Sequence, residues 1–341
     1  MGLLEELVNI DGVSGNEDEI RTFLIGKIKK YLKNVEVDNM GNIIAHKKGK
    51  RPSVLFLAHM DEVGMMVKHI DKKGKMRIST IGGLDPSVLV GQRVFVKGEK
   101  AKIRGVITTD DVMDSADIST NLKIDELYVY SGLNGKELNT IGIDVGSYVS
   151  FGENKPFCSL GSPDVISGKA LDDRIGCYIL MELIKNLKTN NEIFFVFTVQ
   201  EEVGLYGAKA SVFNLEPDYA IAVDVTAHDG VGETVIMGEG PVLTIKDAEM
   251  ISHKCLNEAI KRSSKKQKIN LQLEVSEAGT TDATSVFAAK GGIPSSVFGV
   301  CVANLHTTIS IASKKDIDGA IKTLKDFAAN PPMQCWAWKD K

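Results

Sequence analysis

The chain has 341 residues, 43% of them hydrophobic, which is enough for one large or two moderate domains with a substantial core. Its 41 Lys and Arg against 45 Asp and Glu leave a net charge of -4 and no basic footprint for nucleic acid; the one local basic run, residues 261–268, reads as a solvated helix end or loop. No apolar run approaches a membrane span and the first residues lack a secretory pattern, so the sequence predicts a cytoplasmic protein with no membrane partner.

Five cysteines, Cys158, Cys177, Cys255, Cys301 and Cys335, are odd in number and form no CxxC pair. They predict scattered reduced thiols, with neither a disulfide framework nor a cysteine zinc site.

Residues 3–10 carry apolar positions at helical spacing, and Asp11-Gly12-Val13-Ser14-Gly15 breaks that helix. Ser14 to Glu17 resembles a capping box ahead of a second amphipathic helix reaching about residue 33. Residues 35–47 alternate around an Asn39-Met40-Gly41-Asn42 turn and predict a β-hairpin. Residues 53–58 (SVLFLA) read as a buried strand that delivers His59, Met60 and Asp61 at its end. A lone histidine there is more often a core or surface residue. Here the HxD spacing puts an acid on the same face, the usual device for fixing the tautomer of a metal-binding imidazole.

Residues 68–163 change texture: short alternating segments punctuated by glycine, with no long helical pattern. They predict a small β-barrel or sandwich inserted into an α/β domain made of residues 1–67 and 164–341. His69, at the entrance of the insertion, receives no role.

Helical texture then returns, with Asp172 and Asp173 at a helix start, where acids also favour the helix dipole. Residues 194–208 (FFVFTVQEEVGLYGA) follow as a buried strand ending on Glu201 and Glu202, with Gly204 and Gly207 in a tight turn. Strand ends of open α/β sheets are where ligands bind. Neighbouring side chains on an extended segment point to opposite sides, so the two glutamates should play unequal roles. Residues 219–223 (YAIAV) form another buried strand, ending in Asp224. A glycine-rich connection, a helix at about 248–263 and a strand at 271–275 come next. Gly279-Thr280-Thr281-Asp282 opens a further helix, residues 294–300 form a strand, Asn304-Leu305-His306 a loop, and residues 314–329 a last helix.

The strand and loop ends thus collect His59, Asp61, Asp172, Glu201, Glu202, Asp224 and His306. Hydrolytic two-metal sites need a bridging carboxylate, one histidine and one carboxylate per ion, and a free carboxylate for proton transfer. Nitrogen and oxygen ligands without thiolate suit zinc, cobalt or manganese. The residues predict a metal hydrolase.

The motifs AHMDEVG, GKALDDRIG, TVQEEVGLYGA, AVDVT, GTTD and NLHT, in this order, resemble the M42 family of metalloaminopeptidases, the family of tetrahedral aminopeptidases and glutamyl aminopeptidase, some members of which are labelled endoglucanases. The resemblance implies a zinc-peptidase-like α/β sandwich with an inserted β-barrel that serves dimerisation. It implies two divalent ions per subunit, zinc or cobalt, with manganese as an alternative. His59, Asp172 and Asp224 would hold one ion; Asp172 as a bridge, Glu202 and His306 the other. Asp172 is taken over Asp173 because relatives vary the second acid more freely. Glu201 would be the general base and Asp61 would orient His59.

The same resemblance implies a cis peptide bond between Asp172 and Asp173, and a homo-oligomer, a tetrahedral dodecamer enclosing its active sites and admitting unfolded peptides with a free N-terminus. No charged residue is assigned to the specificity pocket. Two rival readings remain. A glycoside hydrolase would use paired carboxylates as acid and base and leave His59, His306 and Asp224 without jobs. A noncatalytic, metal-braced peptide-binding protein would make Glu201 dispensable.

Overall fold

Two helices open the chain in a computed structural model that describes residues 2–110, 122–152, 157–228 and 235–335. α1 (Gly2–Asn9) and α2 (Asp18–Ile28) each lay an apolar stripe on the core, through Leu4, Leu7 and Val8 and through Ile20, Leu24 and Ile28. The predicted capping box does not form: α2 starts at Asp18, and the Ser14 hydroxyl donates to Asp61 Oδ2 at 2.6 Å.

β1 (Val35–Val37) and β2 (Ile43–Lys47) make the predicted hairpin, and β3 (Lys50–His59) runs through the centre of the molecule. β4 (Gly64–Ile70), β5 (Met76–Ile81), β6 (Arg93–Lys97), β7 (Lys102–Thr108), β8 (Tyr128–Tyr130) and β9 (Tyr148–Ser150) close into a barrel in the order β4-β5-β8-β7-β6-β9. Alternate residues such as Met65 and Val67, Met76 and Ile78, and Val94 and Val96 fill its interior, and closure leaves no bare strand edge. The short helix α3 (Gly135–Thr140) is capped by Asn134.

The large sheet resumes with β10 (Cys158–Ser159) and β11 (Val165–Gly168), followed by α4 (Leu171–Asn186), β12 (Asn191–Thr198), α5 (Tyr206–Ser211) and β13 (Tyr219–Ala227). Then come β14 (Val242–Lys246), α6 (Lys254–Lys266), β15 (Gln272–Val275), α7 (Asp282–Phe287), β16 (Ser295–Ala303), β17 (Ser310–Ser313) and α8 (Lys314–Ala329). Its order is β1-β2-β12-β3-β13-β16-β17-β11-β10, with β14 on β16 and β15 on β14. The four central strands β12, β3, β13 and β16 are mutually parallel and apolar on both faces. Val54, Phe56 and Ala58 face α1, α4 and α8, while Leu55 and Leu57 face α5 and α7. The result is an α/β sandwich with an inserted barrel.

This arrangement positions the site. Parallel strands end on the same side of a sheet, so His59, the turn after Thr198, Asp224 and the loop after Ala303 emerge together.

Two further expectations need correction. The helix placed at 248–263 is α6, residues 254–266, because Asp247 Oδ1 accepts the N–H groups of Glu249 and Met250 and folds residues 247–250 into a turn. Cys255 and Cys335 are not free thiols but form a disulfide, leaving Cys158, Cys177 and Cys301 reduced. The two half-cystines lie 80 residues apart, and only the packing of α6 against α8 brings them together. Among the described residues, no helix is long and apolar enough to cross a membrane.

Candidate metal centre

His59 closes β3 with its ring buried. Its Nδ1 lies 3.1 Å from the backbone oxygen of Asp61, which leaves Nε2 facing the cavity, 2.9 Å from Asp172 Oδ1. The Asp61 carboxylate is 3.6 Å from Nδ1, beyond hydrogen-bond length, so the carbonyl orients the ring more directly than the carboxylate does. That carboxylate instead accepts the Ser14 hydroxyl and the N–H groups of Glu201 at 3.1 Å and Glu202 at 3.3 Å.

The Asp172-Asp173 peptide is cis, and both residues leave helical geometry inside the first turn of α4. The dipole explanation therefore fails for Asp172, whose Oδ1 meets His59 and whose Oδ2 lies 3.3 Å from His306 Nε2. Asp173 Oδ1 accepts the N–H of Gly176 at 2.8 Å and caps the helix, while its Oδ2 is buried with no hydrogen-bond partner among the described residues.

β12 stops at Thr198, and Gln200 takes a left-handed φ of 54°, so Glu201 and Glu202 sit in a turn and not on an extended strand. Strand alternation cannot be what separates their roles. Their surroundings do. Glu202 Oε2 lies 3.5 Å from His306 Nε2 while its Oε1 is buried with no hydrogen-bond partner among the described residues. Glu201 Oε2 is 4.0 Å from His59 Nε2, and Asp224 Oδ1 is 3.9 Å from the same nitrogen. The ligand atoms of His59, Asp172 and Glu202 can converge on one ion, as can those of His59, Asp173 and Asp224.

The electrostatics fit a missing positive charge. Burial, reinforced by Asp172, pushes Glu202 up to about 8; burial and Asp172 push Asp224 up to about 7. Burial, with Asp224 and other acids nearby, also raises Glu201. The hydrogen bond to Asp172 lifts His306 to about 9. Burial opposes charge on His59, but Glu201 and Asp172 outweigh it and raise that imidazole too. Carboxylates that can ionise only at each other's expense, one with an orphaned buried oxygen, are suited to divalent cations.

Sequence reasoning missed the clamp behind this cluster. Glu62 takes Lys169 Nζ at 2.6 and 2.8 Å and the Gly12 N–H at 2.8 Å, while Arg174 donates to the carbonyl of Met60. These buried groups tie the end of β3 to the segment that carries Asp172. Full charges inside otherwise apolar motifs, AHMDEVG and ALDDRIG, were the available signal. Asp282, whose carboxylate accepts the Thr198 hydroxyl, closes the site from behind. In front lies a cavity of about 500 Å³ whose walls include His59, Asp172, Glu201, Glu202, Asp224 and His306.

The sequence pattern of the M42 glutamyl aminopeptidase family matches residues 41–323. A protein of Acetivibrio thermocellus is 39% identical over 327 residues, covering 94% of this chain and 96% of its own. The lysyl aminopeptidase of Pyrococcus furiosus is 33% identical over 334 residues, covering 95% of each chain. Among solved structures, a TET aminopeptidase from a marine sediment archaeon of the Thaumarchaeota superposes with a TM-score of 0.92 at 30% identity over 98% of both chains. The TET1 peptidase of Pyrococcus horikoshii, which can assemble into a tetrahedron or a large octahedral shell, gives 0.87 at 30% identity, over 96% of this chain and 99% of that one. With the family pattern running through most of the sequence and these likenesses through nearly all of it, the chain belongs to the M42 family of peptidases.

Proposed function

We propose that the chain is a dinuclear metalloaminopeptidase that removes N-terminal residues from peptides, with Glu201 as general base. The observation that carries this reading is the position of Asp172, whose two carboxylate oxygens face two different imidazoles, those of His59 and His306. A carboxylate so placed suits a bridge between two ions. His59, Asp172 and Asp224 would hold one; Asp172, Glu202 and His306 the other. Bound there, zinc, cobalt or manganese would lower the pKa of a shared water and polarise the scissile carbonyl.

The chain's own residues do the rest. Glu201 is not needed as a ligand in this scheme, and its carboxylate, with Oε2 4.0 Å from His59 Nε2, would take a proton from the attacking water and return it to the leaving amine. Asp61 holds the Glu201 and Glu202 backbone in place, and the Asp61 carbonyl fixes His59. A glycoside hydrolase would need only the carboxylates and gives the two imidazoles nothing to do.

The test is hydrolysis of a panel of amino acid p-nitroanilides with and without chelator, with carboxymethylcellulose as control. We expect p-nitroanilide cleavage that chelator abolishes and one of the three metals restores. Activity on cellulose alone, or peptidase activity indifferent to chelator, would overturn the reading.

Assembly and location belong to the same proposal. The barrel, which begins with β4 at Gly64, four residues before the expected boundary at 68, would be the dimerisation surface of a tetrahedral dodecamer. Val106 and Tyr130 stand directly opposite each other on β7 and β8, and both are exposed. Sedimentation of an active monomer at micromolar concentration would count against it. We place the protein in the cytoplasm, which cell fractionation tests.

A further inference from the structure

The same cavity has a second charged feature, for which the metal centre has no use. Among the described residues six carboxylates line it, and four of them, Asp172, Glu201, Glu202 and Asp224, belong to the proposed metal centre. The other two are Asp247, after β14, and Glu274, on β15. They are only 5% and 6% exposed. Glu274 is held by two hydroxyls, with Thr226 donating to Oε1 and Thr244 to Oε2 at 2.6 Å. Asp247 uses Oδ1 for its own turn, while Oδ2 is buried with no hydrogen-bond partner among the described residues.

No lysine or arginine among the described residues lines the cavity, and the adjacent Lys246 turns to Ser276 and Glu277, at 3.2 and 3.3 Å. Burying an acid without a compensating cation is costly, and retaining two in the wall of a binding cavity points to a cation brought by the ligand. The spacing suits a side chain. Thr226, which holds Glu274, lies two residues beyond Asp224 on β13, a rise of roughly 7 Å along the same face of the strand. That is about the reach of one long side chain from a backbone held at the metal centre.

We propose that Asp247 and Glu274 form the acidic end of the pocket for the substrate's first residue, so that the enzyme prefers peptides beginning with lysine or arginine. The inference rests on the aminopeptidase reading above and names its substrate class. An N-terminal glutamate would set a third carboxylate against these two, and a leucine would leave them buried without a compensating cation.

The test compares lysine p-nitroanilide with norleucine p-nitroanilide, which matches its length but lacks the ammonium, alongside the leucine and glutamate substrates, on the metal-loaded enzyme. Lysine should exceed norleucine in kcat/KM by at least about tenfold, a floor well under the roughly 10⁴-fold by which a site built for a polar group can reject an analogue without it. Glutamate should be the poorest substrate. Asp247→Asn keeps Oδ1 as the turn acceptor and Glu274→Gln keeps an acceptor for threonine; each should lower the lysine-to-norleucine ratio about tenfold, mainly through KM. A wild-type preference for norleucine, leucine or glutamate overturns the proposal even if neither variant folds. So does a ratio unmoved in both variants. Cleavage of every p-nitroanilide without preference for lysine removes the pocket alone, whereas no cleavage at all by the metal-loaded enzyme removes the aminopeptidase reading and the pocket with it.

Discussion

Asp61 Oδ1 accepts the backbone N–H of Glu201 at 3.1 Å, so the segment after β3 fixes the turn that follows β12. The second oxygen takes the Glu202 N–H and the Ser14 hydroxyl. Asp61→Asn keeps the shape but sets an amide donor against one of these donors. Metal affinity and kcat should each fall by about 10- to 100-fold, as when a group supporting a metal ligand is lost, with the fold intact by circular dichroism. Titration calorimetry and steady-state kinetics on the variant check this; unchanged values in both would mean that the turn holds itself.

Asp172 and Asp224 should differ in how much metal each retains for the chain. Only Asp172 presents one oxygen to each imidazole, whereas Asp224 approaches His59 alone. Asp172→Asn should therefore empty both positions, and Asp224→Asn should weaken one. Elemental analysis of the dialysed proteins decides it, and equal loss in the two variants would remove Asp172 as the bridge.

A third prediction concerns stability against pH. Asp11, in the turn between α1 and α2, is paired with Lys102 from the barrel and lies 3.1 Å from Lys169 ahead of α4. Burial alone would raise its carboxyl, but Lys169 and Lys102 outweigh burial and hold it at about 2, below the ordinary 3.8. A carboxyl depressed in the folded state adds stability that is fully present above its unfolded value and lost as pH falls through its folded one. Here that window is pH 4 to 2, and the difference corresponds to about 2 kcal/mol. Asp11→Asn should lower the unfolding free energy in urea at pH 6 by that order and flatten its decline between pH 4 and 2. An equally steep decline in the variant would mean that other carboxylates control acid unfolding.

Much of this site was legible because its residues follow the longest apolar runs: β3, β12 and β13 each end in a polar cluster, and each run is buried on both faces. What escaped depends on partners distant in sequence. Ser14 looks like a helix cap until β3 brings Asp61 to it, 47 residues on. Nothing local predicts the left-handed Gln200, which needs the Asp61 carboxylate to hold the following turn. The Cys255–Cys335 bond depends on how α6 meets α8. The acidic end of the pocket was invisible for the same reason: Thr244 and Glu274 are 30 residues apart and become neighbours only through the register of β14 with β15.

The two glutamates after β12 should fail in different ways when each becomes an amide. Their difference does not come from strand alternation, since both lie in a turn, but from what each carboxylate meets. Glu202 shares His306 with Asp172 and keeps a buried oxygen without a hydrogen-bond partner among the described residues, as a ligand would before its ion arrives. Glu201 lies 4.0 Å from His59, beyond hydrogen-bond contact, and is free to move a proton. Glu201→Gln should keep both metals yet lose turnover by roughly 10²- to 10⁴-fold, the usual contribution of general acid-base catalysis. Glu202→Gln should weaken one metal position, and excess metal should restore part of its activity. Metal content and kcat on both variants separate the cases: metal loss in Glu201→Gln, or near-normal turnover there, would show that the roles are reversed or that water is activated without this base.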